Sequence, residues 1–193
     1  MDKLAIPMRR VCVFCGSKSG NDPQIQETTR RLAAELARTG RALVYGGGSV
    51  GLMGILADAM LAAGGEVVGV LPRGLFAAEI AHEGLTELRE VGSMHERKVV
   101  MAKLSDGFIA LPGGFGTLDE LFEMITLTQL AVHRKPVALL DVGGYFAGTL
   151  AQIERAVASG FIRPDHARLL DCGSDVRELL ETMERRVAEL GAS

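Results

Sequence analysis

The chain has 193 residues, 48% of them apolar and 23% charged, a mix expected to form one globular domain (1–193) with a full hydrophobic core. A net charge of −3 offers no basic stripe to a nucleic-acid backbone, so any phosphate must be gripped by local features. No stretch approaches the roughly 18 apolar residues of a membrane helix, and Met1–Arg10 lacks a signal peptide's apolar centre. A cytoplasmic protein is expected, with neither membrane nor nucleic acid as partner.

Strand and helix patterns alternate along the chain. Arg10–Gly16 is apolar and β-branched and stops at Gly16-Ser17. Asn21-Asp22-Pro23 combines capping side chains with a first-turn proline, and Ile25, Thr29, Leu32 and Leu36 then recur at helical spacing up to Gly40. Ala42–Tyr45 reads as a second strand, closed by Gly46-Gly47-Gly48. Ser49 is placed to cap a helix from Val50 to about Ala63. In that helix Leu52, Met53, Ile55, Leu56, Ala59, Met60 and Leu61 wrap around more than one side. That pattern fits either a well-covered core helix or a subunit interface.

Glu66–Leu71 is a third strand ended by Pro72, Gly74–Gly84 is a loop or short helix, and Thr86–Val91 is a further strand. Ser93 and Glu96 have the spacing of a capping box, opening a helix to about Leu104. Gly107–Leu111 is a buried strand. The turn Pro112–Thr117 leads into a helix whose stripe is Leu118, Leu121, Ile125 and Val132. Pro136–Leu140 (strand), Tyr145–Ala158 (helix), Ala167–Asp171 (short strand) and a last helix striped by Val176, Leu179, Leu180, Met183 and Val187 complete the chain. Serial alternation with apolar strands implies an α/β fold: a doubly wound parallel sheet with helices on both faces.

Two glycine clusters stand where strands hand over to helices: Gly46–Gly51 and Gly113–Thr117. Ligands of open α/β sheets bind at the carboxyl ends of strands. Helix-start N–H groups attract phosphate, and glycine lets the backbone come close to it. Tight turns alone are the other explanation. Neither cluster is G-x-x-x-x-G-K-[ST] or G-x-G-x-x-G, which disfavours ATP hydrolysis and dinucleotide binding.

Glu120, three residues after Thr117, has capping-box spacing and could equally place a carboxylate beside a bound phosphate ester. Arg97 and Lys98 are cations in the first turns of a helix, where the macrodipole disfavours them. They are either a solvated basic pair or the mark of an anionic ligand. His95-Glu96 is not a zinc-protease start, because Val99 stands where the second histidine would be. His82, His133 and His166 are scattered and read as structural or exposed. Cys12 and Cys15 lie on one strand and face opposite sides, so packed, reduced thiols are expected and no metal site.

Phe14-Cys15-Gly16-Ser17, Tyr45-Gly46-Gly47-Gly48, Met94-His95-Glu96-Arg97-Lys98 and Pro112-Gly113-Gly114-Phe115-Gly116-Thr117-Leu118-Asp119-Glu120 together resemble the LOG ("lonely guy") family of cytokinin-activating phosphoribohydrolases. The resemblance spans roughly residues 10 to 190. It implies a Rossmann-like fold, a homodimer, no cofactor, and hydrolysis of N6-substituted AMP, such as isopentenyl-AMP, to free base and ribose 5-phosphate. AMP itself is a substrate of many members.

Carried onto this chain, the family pattern makes Arg97 and Glu120 the catalytic pair. It makes Ser17, Gly47, Gly48, Met94, Lys98, Gly113, Gly114, Gly116 and Thr117 substrate- and phosphate-binding residues. Members have often been labelled lysine decarboxylases, but nothing marks Lys3, Lys18, Lys98, Lys103 or Lys135 as a Schiff-base lysine. A related fold serves non-catalytic nucleotide or molybdenum-cofactor carriers. Such carriers need the glycine loops but not the Arg97 and Glu120 pair.

Overall fold

Asp22 opens the first helix as its sequence suggests: its side chain accepts from the Gln24 N–H at 2.8 Å and Pro23 follows at once. The computed structural model describes residues 8–74 and 81–191. In chain order the elements are β1 (Arg10–Phe14), α1 (Pro23–Arg38), β2 (Ala42–Tyr45), α2 (Gly51–Ala62), β3 (Val67–Pro72), β4 (Glu87–Val91), α3 (Met94–Leu104), β5 (Gly107–Ala110), α4 (Phe115–Gln129), β6 (Val137–Leu140), α5 (Ala147–Ala158), α6 (Pro164–Ala167), β7 (Leu170–Gly173) and α7 (Val176–Gly191). The Gly74–Gly84 segment lies partly outside the described residues.

The strands form one seven-stranded sheet of order β4-β3-β2-β1-β5-β6-β7, and every pairing is parallel. Strands β2, β5 and β6 are buried at every position because helices cover both faces. The edge strand β4 instead exposes Leu88, Arg89 and Glu90. Its charges discourage a further strand from pairing there.

The core divides into two apolar clusters, one on each sheet face. Val11, Val13 and Cys15 join residues of α1, α2 and α7 on one face. Cys12 and Phe14 join residues of α3 and α4 on the other. The two thiols therefore face opposite sides, as strand alternation requires, and both are buried and free.

Four local expectations need correction. Val50, not Ser49, occupies the cap position of α2, and no side chain caps that helix. Helix α4 starts at Phe115 with Gly114 at its cap, so Thr117 is its third residue and Glu120 its sixth. Their spacing is not a capping box, because the glycine-rich turn lets the helix begin earlier. Of the stripe expected for α4, Leu121 is buried, and Leu118 and Ile125 pack against the same cluster, joined by buried Thr117 and Met124, whereas Val132 lies beyond the helix and is exposed. The strand expected at Ala167–Asp171 is present but starts later than expected. Pro164 starts a short helix that runs to Ala167, and strand β7 begins only at Leu170.

The apolar excess of α2 is mostly accounted for within the chain. Leu52, Met53, Leu56, Ala57 and Met60 are buried in the cluster shared with α1, and Ile55, Ala59 and Leu61 are partly covered. Four of the exposed large apolar side chains lie on or just after α4, at Phe115, Phe122, Leu130 and Val132. Among the described residues, no helix is long and apolar enough to cross a membrane.

Candidate active site

Strand β1 has β2 on one side and β5 on the other, so the chain winds away from it in both directions. Ligands of such sheets sit at the carboxyl ends of the strands at this reversal. A cleft of about 290 Å³ lies there. Cys15, Gly16 and Ser17 enter it after β1, Gly46 after β2, Met94, Arg97 and Met101 from α3, and residues 114–117, 119 and 120 at the start of α4.

Helix α3 begins at Ser93, whose hydroxyl accepts from the Glu96 N–H at 3.1 Å. The Glu96 carboxylate reaches back to the Gly92 N–H at 2.6 Å, one residue beyond a reciprocal box. Its negative charge in the first turn offsets the dipole that opposes Arg97 and Lys98. Met94, Arg97 and Met101 stand at i, i+3 and i+7, hence on one helix face, and all three border the cleft.

Arg97 is 4% exposed. Its Nη2 donates to the Gly46 carbonyl at 2.7 Å, and Nη1 lies 3.6 Å from Met94 Sδ. A Cβ on Gly46 would stand 1.9 Å from that Nη2. Glycine is therefore required at 46 for the guanidinium to seat. A buried cation is costly unless it is hydrogen-bonded and charge-compensated, and Glu120 borders the same cleft. Both charges reach the end of β1. Burial pushes the Cys12 and Cys15 thiols up, the Glu120 carboxylate adds to the rise, and the Arg97 guanidinium opposes it. Both cysteines are thus held as thiols, not nucleophilic thiolates.

The first turn of α4 has no side-chain cap. Helix-start N–H groups left in this way suit an anion. Gly114 and Gly116 have nothing within 4 Å of where a Cβ would be, so the loop's mouth is open. Thr117 is 4% exposed, and a Cβ on Gly113 would come within 2.1 Å of its hydroxyl oxygen. Gly113 thus makes room for Thr117 and does not itself border the cleft.

Of the residues expected at the site, the cleft gathers Ser17, Met94, Arg97, Gly114, Gly116, Thr117 and Glu120. Gly47, Gly48, Gly113 and Lys98 do not border it. The Gly47 carbonyl accepts from the His82 N–H at 3.0 Å, and the Gly48 carbonyl from the Tyr45 hydroxyl at 3.2 Å. Lys98 Nζ donates to Asp119 at 2.9 Å and pairs with Glu123. Sequence reasoning missed Val13, Met53 and Met101 as lining residues, and from its first glycine cluster it named Gly47 and Gly48 where Gly46 lines the cleft. The i+4 spacing from Arg97 could have found Met101. Nothing in a run of three glycines tells which one faces the cleft.

A family described as "Possible lysine decarboxylase" matches residues 53–183. No lysine borders the cleft among the described residues. A probable cytokinin riboside 5′-monophosphate phosphoribohydrolase of Oryza sativa subsp. japonica is 50% identical over 179 residues, which cover 93% of this chain and 79% of that protein. A cytokinin riboside 5′-monophosphate phosphoribohydrolase of Arabidopsis thaliana is 47% identical over 184 residues, 95% of this chain and 85% of that protein. Among solved structures, the molybdenum cofactor carrier protein of Chlamydomonas reinhardtii has a TM-score of 0.69 at 23% identity, covering 94% of this chain and 99% of that one. At that identity the likeness shows the Rossmann-like fold alone. With the four motifs on one sheet edge and this similarity over nearly the whole length, the chain belongs to the LOG family of cytokinin riboside 5′-monophosphate phosphoribohydrolases.

Proposed function

We propose that the chain hydrolyses the N-glycosidic bond of N6-substituted adenosine 5′-monophosphates, releasing the free base and ribose 5-phosphate, and that it also cleaves plain AMP. One observation carries the reading: a buried arginine, Arg97, and a carboxylate, Glu120, border one cleft whose far wall is an uncapped helix start. The 5′-phosphate binds the first turn of α4 through the N–H groups of residues 114–117 and the Thr117 hydroxyl, with Ser17 on the opposite lip. Gly47, Gly48, Gly113 and Lys98 shape this site from behind.

Breaking C1′–N9 sends its electron pair to the base and leaves oxocarbenium character on the ribose, as in glycoside hydrolysis by analogy. Glu120 stabilises that charge and takes a proton from the water whose oxygen bonds to C1′. Arg97 anchors the substrate and stabilises the departing base, which takes up a proton from solvent while Glu120 gives the proton it accepted back to solvent, so that water is split between C1′ and the base. In a desolvated cleft such fixed charges act far more strongly than in water. The chemistry needs only these side chains and water, and no cofactor.

A carrier of related fold would use the glycine loops without this pair. Arg97 is buried at the cleft, and that favours the enzyme over a carrier. The whole chain is proposed to act as one catalytic domain in a homodimer, supported by the exposed Phe122, Leu130 and Val132. A cytoplasmic location is proposed too, because the thiols of Cys12, Cys15 and Cys172 are free. Incubation with AMP and isopentenyl-AMP, followed by chromatography of the free base, tests the reading. Intact nucleotide after prolonged incubation would overturn it.

A further inference from the structure

Lys98 follows Arg97 on α3, and Asp119 precedes Glu120 on α4. The outer members of these two pairs meet: Lys98 Nζ lies 2.9 Å from Asp119 Oδ2. The same ammonium pairs with Glu123, one turn further along α4. The side chain of Lys98 is only 14% exposed and that of Glu123 24%, so this is not a pair waving in solvent. Asp119 and Glu123 are i and i+4 on one helix face, where like charges repel unless a cation lies between them. Burial works against the Lys98 charge, yet the Glu123 and Asp119 carboxylates outweigh it and hold its pKa above the ordinary value.

Each helix is seated on the sheet separately. Helix α3 packs on β1, β2, β3 and β4, and α4 on β1, β5 and β6. The Lys98 bridge is a direct tie from one helix to the other, one residue away from Arg97 on α3 and from Glu120 on α4. A lysine facing two carboxylates has little field left for a phosphate, and Lys98 does not border the cleft.

We infer that Lys98 is a positioning residue: its bridge to Asp119 and Glu123 sets the spacing of Arg97 and Glu120, and it does not ligate the substrate phosphate. This rests on the reading of the cleft given above. Small displacements of reacting groups cost up to about 10²-fold in rate.

Two measurements on the full chain test it. In the first, kcat and KM are read for AMP and adenosine. Lys98→Met is expected to lower kcat roughly 10- to 100-fold while leaving the preference for AMP over adenosine intact. Lys98→Arg should keep most activity, and the exchanged pair Lys98→Glu with Glu123→Lys should recover part of the loss. A raised KM for AMP with collapse of the AMP preference would mark Lys98 as a phosphate ligand and overturn the inference. The second does not depend on activity: thermal unfolding of Lys98→Met, Glu123→Gln and the double variant. Non-additive effects support the tie, and additive ones overturn it. A wild-type chain that cleaves no nucleotide would defeat the proposed function, and the unfolding cycle would still decide the tie. Should Lys98→Met fail to fold, Asp119→Asn at the exposed end of the bridge takes its place in both measurements.

Discussion

The Arg97 guanidinium is seated on the backbone of Gly46, 51 residues away in sequence, through a 2.7 Å hydrogen bond to its carbonyl oxygen. A Cβ there would lie 1.9 Å from Nη2 and 3.0 Å from Cζ, so one added methyl group evicts the cation. The other near neighbour is Met53 Sδ, at 3.1 Å.

Gly46→Ala should therefore lower kcat/KM for AMP at least ~10²-fold, because the loss acts through a displaced Arg97, the cation to which the proposed function gives the catalytic role. If Gly46 matters only through Arg97, the double variant Gly46→Ala/Arg97→Ala will be no slower than Arg97→Ala alone. Multiplying losses in that cycle would show a separate role for Gly46.

Glu120→Gln should abolish most turnover, by at least ~10²-fold, as expected for removal of a positioned catalytic group. Since Glu120 sits in the second turn of α4, past the cap position at Gly114, and Gln keeps the size of the side chain, the variant should still fold. Melting curves alongside initial rates check both halves. Near-normal turnover in the folded variant would take Glu120 out of the mechanism.

In the proposed function, the uncapped start of α4 holds the 5′-phosphate, the main handle on the substrate. Adenosine should be cleaved far more slowly than AMP, because without a phosphate the N–H groups at the back of the loop would lose their partner. Equal rates on the two would show that residues 114–117 do not hold phosphate.

Acid stability should depend on Glu35, which lies far from the cleft between α1 and α7. Hydrogen bonds from Arg38, against the effect of burial and with further help from the Arg177 charge, lower its carboxyl pKa to about 2. A folded pKa below the unfolded value of about 4.3 means the stabilisation is full above that value and is lost as pH falls towards 2. Glu35→Gln should cost on the order of 1–2 kcal/mol at neutral pH, after allowing for solvent around Arg38. It should also flatten the stability profile between about pH 4.5 and 2, with turnover unchanged. A variant as stable as the parent at pH 7 and equally acid-sensitive would contradict this.

Phe122, Leu130 and Val132 are 40%, 64% and 68% exposed, which is apolar area a second copy of the chain can cover. Light scattering at micromolar concentration should give about twice the 20.5 kDa of one chain. Leu130→Glu with Val132→Glu should yield folded monomers with reduced activity. A fully active monomer would remove the dimer from the account.

The alternation of apolar runs with helical stripes was enough to read a parallel, doubly wound sheet, because strands buried on both faces leave a nearly continuous apolar signature. The strand order was not legible, since the hydrogen-bond partners of β1 lie far off in the chain. Asp22 and Ser93 declared their helices through capping side chains, whereas α2 and α4 start without one, and there the reading went astray at Ser49 and at Glu120. That Arg97 and Glu120 border one cleft was legible through their motifs. The neutralisation of Lys98 was not, because its partners stand on another helix. The burial of most of α2 depends on α1 packing over it, which periodicity alone does not reveal.

The most direct test of the central claim is the product balance of one reaction. The purified chain is incubated with isopentenyl-AMP, and free isopentenyladenine and ribose 5-phosphate are both quantified, with Arg97→Ala and Glu120→Gln run in parallel. The account predicts equimolar base and sugar phosphate from the parent chain and at least ~10²-fold less from either variant. Nucleotide left intact by the parent, or equal release by all three proteins, would contradict it.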